Sequence, residues 1–258
     1  MSAVLVQNWW MTHRRLKALV RQPAVVGMML MQPAIWLFLF GGLFKNIVEL
    51  PGFAGQSYLG YLVPGVVVMS AVSSNMWAGM SVIEEIDRGT LNRFLVTPVS
   101  RGAIMNAGVI EQAVSTAVQS VLIIVLGWIG GAHYTGGVTG LAALVLASVL
   151  LGAVFSALSN TMGLLVRQRE MIIGLSVALL LPLTFLSSAF MPTALMPGWI
   201  RHVAAFNPVN WSLEAARAGL LAKPDWTNLA VHGGWLLALA ALMVWLATYS
   251  FRAYQKSI

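Results

Sequence analysis

Long runs of apolar residues with very few charges constrain this chain more than any other feature. A transmembrane helix needs about 20 consecutive apolar residues. Soluble domains carry roughly 25% charged residues, whereas only 9% of this chain is charged. The apolar surface must therefore face lipid rather than water. We predict an all-α integral membrane protein with six transmembrane helices, at 24–44, 59–82, 104–129, 138–166, 171–190 and 229–250.

Basic residues are distributed unevenly among the segments between these spans. With the N-terminus placed inside, eleven of the 15 Lys and Arg residues fall on inner segments: the N-terminal arm, 83–103, 167–170 and the C-terminal tail. Cytoplasmic loops of membrane proteins carry such an excess. The sequence therefore predicts a multi-pass protein of the cytoplasmic membrane with both termini in the cytoplasm. The same asymmetry accounts for the net charge of +7, so binding to nucleic acid is not expected.

The N-terminal arm has the periodicity of an amphipathic helix. Apolar and aromatic side chains recur at spacings of three and four between Val6 and Val20, and three basic residues follow the same spacing on a neighbouring face. A basic helix with tryptophans suits the headgroup region of a membrane. We predict an amphipathic cytoplasmic helix over 1–23, followed by one transmembrane domain over 24–258. A simple membrane anchor is the alternative to a special role for this helix.

The inner loop between the second and third spans, 84–101, changes from polar and acidic to apolar. Leu91, Phe94 and Leu95 share one face if the segment is helical. Pro98 would end that helix, because the residue before a proline avoids helical geometry. We predict a short amphipathic helix along the cytoplasmic membrane surface, suited to docking on a partner.

The sequence of this loop resembles the ABC-2 family of ABC exporter permeases. The family pattern is a Glu-rich start, then Gly-Thr-Leu, then Leu-Val-Thr-Pro-(Val/Leu)-Ser-Arg. It is found here at 84–85, 89–91 and 95–101. Asn92 departs from the pattern, because many members have an acid there.

A second stretch, around the fifth predicted span, is similar to the same family. The family signature is a proline, a Leu-Ser-Gly-like tripeptide, a proline, Pro-x-Trp, Asn-Pro and a late Arg. Ser188 replaces the usual glycine, and the other matches are Pro182, Leu186-Ser187, Pro192, Pro197-Gly198-Trp199, Asn207-Pro208 and Arg217. The six-span layout also matches, so the resemblance covers nearly the whole chain. The nearest look-alikes are permeases of the daunorubicin-exporter type.

The resemblance implies an exporter permease with no catalytic activity of its own. In that family the inner loop is a coupling helix that sits in a cleft of a separate ATPase. Two permeases, as a homodimer or with a paralogue, work with two ATPase chains, which bind ATP and Mg. This carry-over implies the coupling residues Glu84, Glu85, Arg88, Gly89, Thr90, Leu91 and Arg93. The plainer alternative is that these charges form a solvated cap at a membrane exit.

Residues that other functional classes need are missing from the sequence. No lysine follows a glycine, as a phosphate-binding Walker loop requires, so ATP-driven action needs a partner. The chain has no cysteine, its four histidines are scattered, and no serine-nucleophile motif occurs, so we predict neither a metal site nor an enzyme active site. Ion-coupled carriers place acids within their spans, and Glu111 is the one acid clearly inside an apolar run. The alternatives to an exporter are an ion-coupled carrier or channel and a non-transport scaffold.

Hydroxyl and amide side chains occur in the second and fifth spans, which line the central path in the resembled family. An apolar wall with sparse hydroxyls suits an amphipathic or lipid-like substrate. The alternative is helix packing, for which small residues are favoured in membranes. The path candidates are Ser70, Ser73, Asn75, Thr184, Phe185, Ser187 and Ser188.

The long outer segment, 191–228, predicts two short amphipathic helices at the outer interface. Asn207 is a good N-cap and Pro208 a good first helical residue. In the resembled family this element covers the outer exit of the path. The alternative is an interfacial belt of tryptophans.

Overall fold

The chain folds into a bundle of helices joined mostly by short turns. The structure is a computed structural model that describes residues 23–44, 57–87, 101–166 and 168–255, and none of these residues forms a strand. In chain order, the main helices are α1 (Pro23–Ile35), α2 (Tyr58–Met76), α3 (Ala78–Asp87), α4 (Arg101–Ile129), α5 (Gly137–Val166), α6 (Arg169–Phe185), α7 (Gly198–Ala205), α8 (Pro208–Leu220) and α9 (Trp226–Gln255).

The helical membrane class predicted from the sequence is confirmed. A shorter apolar helix covers Gly27–Leu43, and α6 has 17 residues, fewer than the about 20 that a spanning helix needs. Each of the six predicted apolar stretches coincides with a helix. The crossing of the membrane by all six stays a prediction. Among the described residues, four helical segments are long and apolar enough to cross a membrane: Tyr58–Glu84, Gly108–Ile129, Gly137–Val166 and Trp226–Ser250.

The first helix changes its type along its length. α1 contains Pro33 and is continued by a π-helical turn, Trp36–Phe40, and a last α-helical turn, Gly41–Leu43. A proline removes one helical hydrogen bond, and π turns within helices often occur at functional sites. The ring centroids of Trp36 and Phe40 lie 5.4 and 5.7 Å from that of Phe190, so this turn packs against the chain that follows α6.

α5 lies at the centre of the bundle and packs against α2, α3, α4, α8 and α9. Leu144, Leu151 and Phe155 are among its buried side chains. Its approach to α3 depends on glycine, because a Cβ at Gly163 would lie 2.6 Å from the carbonyl oxygen of Gly79. Membrane helices pack through small residues in this way, since lipid supplies no hydrophobic force between them.

α6 ends earlier than the apolar run that predicts it. The predicted span is 171–190, but the helix ends at Phe185. Beyond it, the Ser188 N–H donates to Asn210 Oδ1 of α8 at 3.0 Å. Tertiary hydrogen bonds thus take over from helical ones, as buried backbone groups require partners.

The two short helices predicted within 191–228 are present as α7 and α8, and their place at the outer interface stays a prediction. Asn207 is the N-cap of α8, because its side chain accepts a hydrogen bond from the Val209 N–H at 2.9 Å, and Pro208 is the first helical residue. α8 buries Val209, Leu213 and Ala216 and packs against α5 and α9, whereas α7 is mostly exposed. α8 is therefore part of the bundle.

Candidate functional site

The inner loop leaves the bundle from the last turn of α3, beside the first turn of α6. Arg169, the first residue of α6, contacts two carboxylates of α3. Its Nη2 lies 3.1 Å from Asp87 Oδ2, and its Nη1 lies 4.0 Å from Glu84 Oε1. All three side chains are about half exposed, and exposed ion pairs contribute little to stability. The contact therefore links the base of the loop to α6 without contributing much to the stability of the fold.

The coupling candidates fall mostly outside the described residues. The side chain of Glu84 is described and contacts Arg169. Most of the helix predicted within 84–101 falls on residues 88–100, which lie outside the described residues, so this helix stays a prediction. Also outside the description are the side chain of Glu85 and the residues Arg88, Gly89, Thr90, Leu91 and Arg93.

A partly open cavity of about 200 Å³ lies between α1, α2 and α4. Two path candidates, Ser70 and Ser73, line it from α2. Trp36 of the π turn and Gln119 of α4 line it as well. Ligand sites are concave and mostly apolar, with a few polar groups. The structure thus brings two of the path candidates to one concave surface, and it adds Gln119, which the sequence analysis did not single out.

The other path candidates are placed elsewhere. Asn75 is buried, and its Nδ2 donates to Thr116 Oγ1 of α4 at 2.8 Å. Thr184 and Ser187 are buried at the end of α6, where the Ser187 hydroxyl donates to the Thr184 carbonyl at 2.6 Å. Phe185 is 57% exposed and stacks on a neighbouring ring. None of these four residues lines the cavity within one chain.

Ser188, the last path candidate, is a meeting point of three segments. Its carbonyl accepts hydrogen bonds from the Tyr61 hydroxyl of α2 at 2.8 Å and from Arg217 Nη2 of α8 at 2.7 Å. The Arg217 guanidinium also lies over the Tyr61 ring. The sequence analysis named Arg217 only as the late Arg of the family signature. The signal that it missed was the position of this arginine in a helix with many small apolar residues.

Two of the three described histidines lie next to backbone carbonyls of nearby residues. His133 Nδ1 lies 3.0 Å from the Gly131 carbonyl oxygen, between α4 and α5, and His232 Nδ1 lies 3.1 Å from that of Asn228 in α9. In the part of the chain that the structure describes, no three His, Asp or Glu side chains are grouped so that they could hold a metal ion.

One family model and several known proteins match most of this chain. The model described as ABC-2 type transporter matches residues 6–221. The daunorubicin resistance ABC transporter permease protein DrrB1 of Streptomyces coeruleorubidus is 27% identical over 220 residues, which cover 84% of this chain and 74% of that protein. The putative transport permease ycf38 of Porphyra purpurea is 27% identical over 208 residues, which cover 80% and 70%.

A third relative is, like the first, named as a permease of a drug-resistance ABC transporter. The probable doxorubicin resistance ABC transporter permease protein DrrC of Mycobacterium tuberculosis is 23% identical over 186 residues, which cover 72% of this chain and 63% of that protein. The resemblance inferred from the two sequence motifs is confirmed by these matches. The chain belongs to the ABC-2 type transporter family.

Proposed function

We propose that this chain is the membrane-spanning permease subunit of an ABC exporter that moves an amphipathic or lipid-like substrate out across the cytoplasmic membrane. The match of residues 6–221 to the ABC-2 type transporter family carries this proposal. The names of two relatives, which give them as permeases of daunorubicin and doxorubicin resistance ABC transporters, favour export over other membrane roles.

The 84–101 loop couples the chain to its ATPase in this proposal. α2 and α3 form a nearly continuous helical segment, interrupted at Trp77, that runs from the cavity to the start of the loop. Arg169 links the same end of α3 to α6. A displacement of the loop would therefore move the α2–α3 segment, which lines the cavity, and also α6.

ATP and Mg bind to the partner in this proposal, and the chain itself is not an enzyme. Its sequence lacks the Gly-Lys pair that a phosphate-binding Walker loop needs. Two copies of the ATPase would then serve two permeases, either two copies of this chain or this chain and a paralogue. The excess of inner Lys and Arg supports cytoplasmic termini, which place the loop on the side of the ATPase.

Co-purification tests the proposal. The tagged full chain is co-expressed with a candidate ABC ATPase from the same genome, and the ATPase is expected in the purified complex. Replacing Gly89-Thr90-Leu91 by three alanines is expected to lower the recovery of the ATPase or its substrate-stimulated hydrolysis, because the docking surface is changed.

A second triplet offers a matched control. Thr193–Leu195 forms a short turn beyond the far end of α6 and contains the similar residues Thr193 and Leu195. Their replacement by alanine should leave association and hydrolysis unchanged. Normal association and hydrolysis in the 89–91 variant would contradict the coupling role. Transport by the purified chain with no ATPase present would contradict the exporter proposal as a whole.

A further inference from the structure

The break between α2 and α3 has a side chain of another helix inserted into it. The Gly79 N–H donates to Ser159 Oγ of α5 at 2.9 Å, and the same hydroxyl donates to the Met76 carbonyl oxygen at 2.5 Å. Ser159 is 3% exposed, so this bridge is buried. A side chain inserted between helical hydrogen-bond partners is one of the usual causes of a break in a helix. Trp77, between the two bridged residues, is accordingly the C-cap of α2 and belongs to neither helix.

A second donor holds the same carbonyl. The Ser176 hydroxyl of α6 donates to the Met76 oxygen at 3.3 Å and is also buried. A buried backbone carbonyl must keep a partner, above all within a bilayer. Because Met76 has donors on two different helices, it keeps one hydrogen bond when the other is lost. The break can therefore change its geometry at low cost.

Glycines let α3 approach α5 closely beside the break. A Cβ at Gly79 would collide with the Ser159 carbonyl oxygen, and a Cβ at Gly163 would lie 2.6 Å from the Gly79 carbonyl oxygen. Backbone therefore meets backbone, with no side chain between the two helices at this point. The contact is the fixed point for a rotation of α3, with Trp77 on one side of it and the start of the inner loop on the other.

Trp77 connects the break to the cavity. It is 41% exposed and lines the cavity together with Ser73, one turn earlier in α2. Side chains of a helix point back over the preceding turn, which here carries Ser73. Hinge residues absorb the changes in φ and ψ of a conformational change. A turn of α3 would therefore change the direction of the Trp77 indole and uncover Ser73.

We propose that the break at Trp77 is a hinge on which α3 turns against α5, and that Ser159 is the positioning residue that keeps α2 and α3 from joining into one stiff helix. The ion pair of Asp87 with Arg169 holds the far end of α3 to α6. Release of that end turns α3 and moves Trp77 in the cavity wall. That displacement of the inner loop is the natural trigger rests on the function proposed above, whereas the hinge itself does not.

Pulsed EPR on the full chain in lipid nanodiscs tests the hinge, because the chain has no cysteine and spin labels react only where one is introduced. One pair, Ser81→Cys and Tyr249→Cys, joins exposed sites on α3 and α9, and the control pair, Leu165→Cys and Tyr249→Cys, joins α5 and α9. An excess of unlabelled chain removes distances between copies. Asp87→Arg, which releases α3 from α6, should shift or broaden the first distance distribution and leave the second unchanged.

Modification of Ser73→Cys by N-ethylmaleimide reports on the cavity wall. Asp87→Arg should raise the modification rate by up to about fivefold, which is the shift in a two-state equilibrium that the loss of an exposed ion pair can cause. Leu146→Cys, at an exposed position of α5, is the control. Its rate should be the same with and without Asp87→Arg.

Substitution of Ser159 assigns the hinge to this side chain. In Ser159→Ala, the Gly79 N–H returns to a helical carbonyl, so both readouts should stop responding to Asp87→Arg. Ser156→Ala is the matched control and should keep the response, because Ser156 is a buried serine of the same helix whose Oγ has no partner among the described residues. Ser176→Ala should weaken the response, which keeps the test valid if Ser159→Ala does not fold.

Four results would overturn the inference. Distances from Ser81 that do not respond to Asp87→Arg would mean that α3 does not turn, and an equal shift of the control pair would place the movement elsewhere. A constant Ser73→Cys rate while α3 moves would disconnect the hinge from the cavity. A response that survives Ser159→Ala, or Ser176→Ala where the former does not fold, would remove the role of the serines. None of these measurements contains an ATPase, so the hinge can fail while the exporter function stands.

Discussion

The guanidinium carbon of Arg217 lies 3.9 Å from the centroid of the Tyr61 ring, and both side chains donate hydrogen bonds to the Ser188 carbonyl. A cation over an aromatic face is attracted by the ring, more strongly where water is excluded. Three segments meet at this point: α2, the chain that follows α6, and α8. The contact therefore holds the irregular end of α6 against two helices of the bundle.

Substitutions of Tyr61 separate the two contributions of this side chain. Tyr61→Phe keeps the ring but loses the hydroxyl, which should cost about 1 kcal/mol and lower the thermal midpoint in detergent by roughly 2–4 °C. Tyr61→Leu also removes the ring and should cost about 1 kcal/mol more. Tyr249→Phe, at a tyrosine that is 61% exposed, is the control. Equal midpoints for the two Tyr61 variants would contradict the contribution of the ring.

Gly163→Ala is expected to destabilise the contact between α3 and α5. The added Cβ would lie 2.6 Å from the Gly79 carbonyl oxygen, and overpacking of this kind costs about 1–3 kcal/mol. Gly174→Ala is the matched control, because nothing lies within 4 Å of a Cβ there and alanine favours the helix. Thermal unfolding of both variants in one detergent checks this, and similar midpoints would show that the helices tolerate the extra methyl group.

Asn207→Asp should be destabilising, although aspartate is in general as good an N-cap as asparagine. The Asn207 Nδ2 donates to the carbonyls of Leu183 at 2.7 Å and Leu186 at 2.9 Å, and a carboxylate oxygen there would face both acceptors. We expect a loss of about 1–3 kcal/mol, measured as a lower thermal midpoint.

A second capping residue provides the comparison for Asn207. Asp225 accepts a hydrogen bond from the Asn228 N–H at 3.0 Å in an exposed position at the start of α9. Asp225→Asn should therefore change the midpoint very little. An equally small effect of Asn207→Asp would mean that the two donated hydrogen bonds contribute nothing to stability.

The ion pair of Asp87 and Arg169 is expected to affect coupling more than stability. Exposed pairs contribute about 0–1 kcal/mol, so Asp87→Arg and Arg169→Asp should each leave the thermal midpoint nearly unchanged. Each should lower substrate-stimulated ATP hydrolysis by the complex with its ATPase, because the loop is no longer linked to α6. The double swap restores opposite charges and should restore hydrolysis. Activity that stays low in the double swap would contradict the link.

Single cysteines test the orientation of the chain, which has no cysteine of its own. Ser100→Cys lies in the predicted inner loop, and His133→Cys lies at an exposed position between α4 and α5. A membrane-impermeant maleimide should label His133→Cys in intact cells and Ser100→Cys only after permeabilisation. The reverse pattern would place the coupling loop outside and contradict the proposed function.

The helices and the family could be predicted from the sequence because both depend on local patterns. Apolar runs predicted every long helix of the bundle, and Asn207-Pro208 predicted the start of α8, where the structure has the same cap and first residue. Ser188 in the family motif could be predicted as a path candidate but not as the acceptor for Tyr61 and Arg217, because those residues are far from it in the chain.

The amino-acid sequence by itself determined the membrane class, the helix positions and the family, because hydropathy, capping residues and motifs belong to short stretches of chain. Only the tertiary structure decided that α6 ends at Phe185, that Arg217 lies over Tyr61, and that Gln119 lines a cavity. A glutamine within an apolar run has the same local pattern whether it is paired or not. Its hydrogen-bond partner, or the lack of one, depends on how distant helices pack.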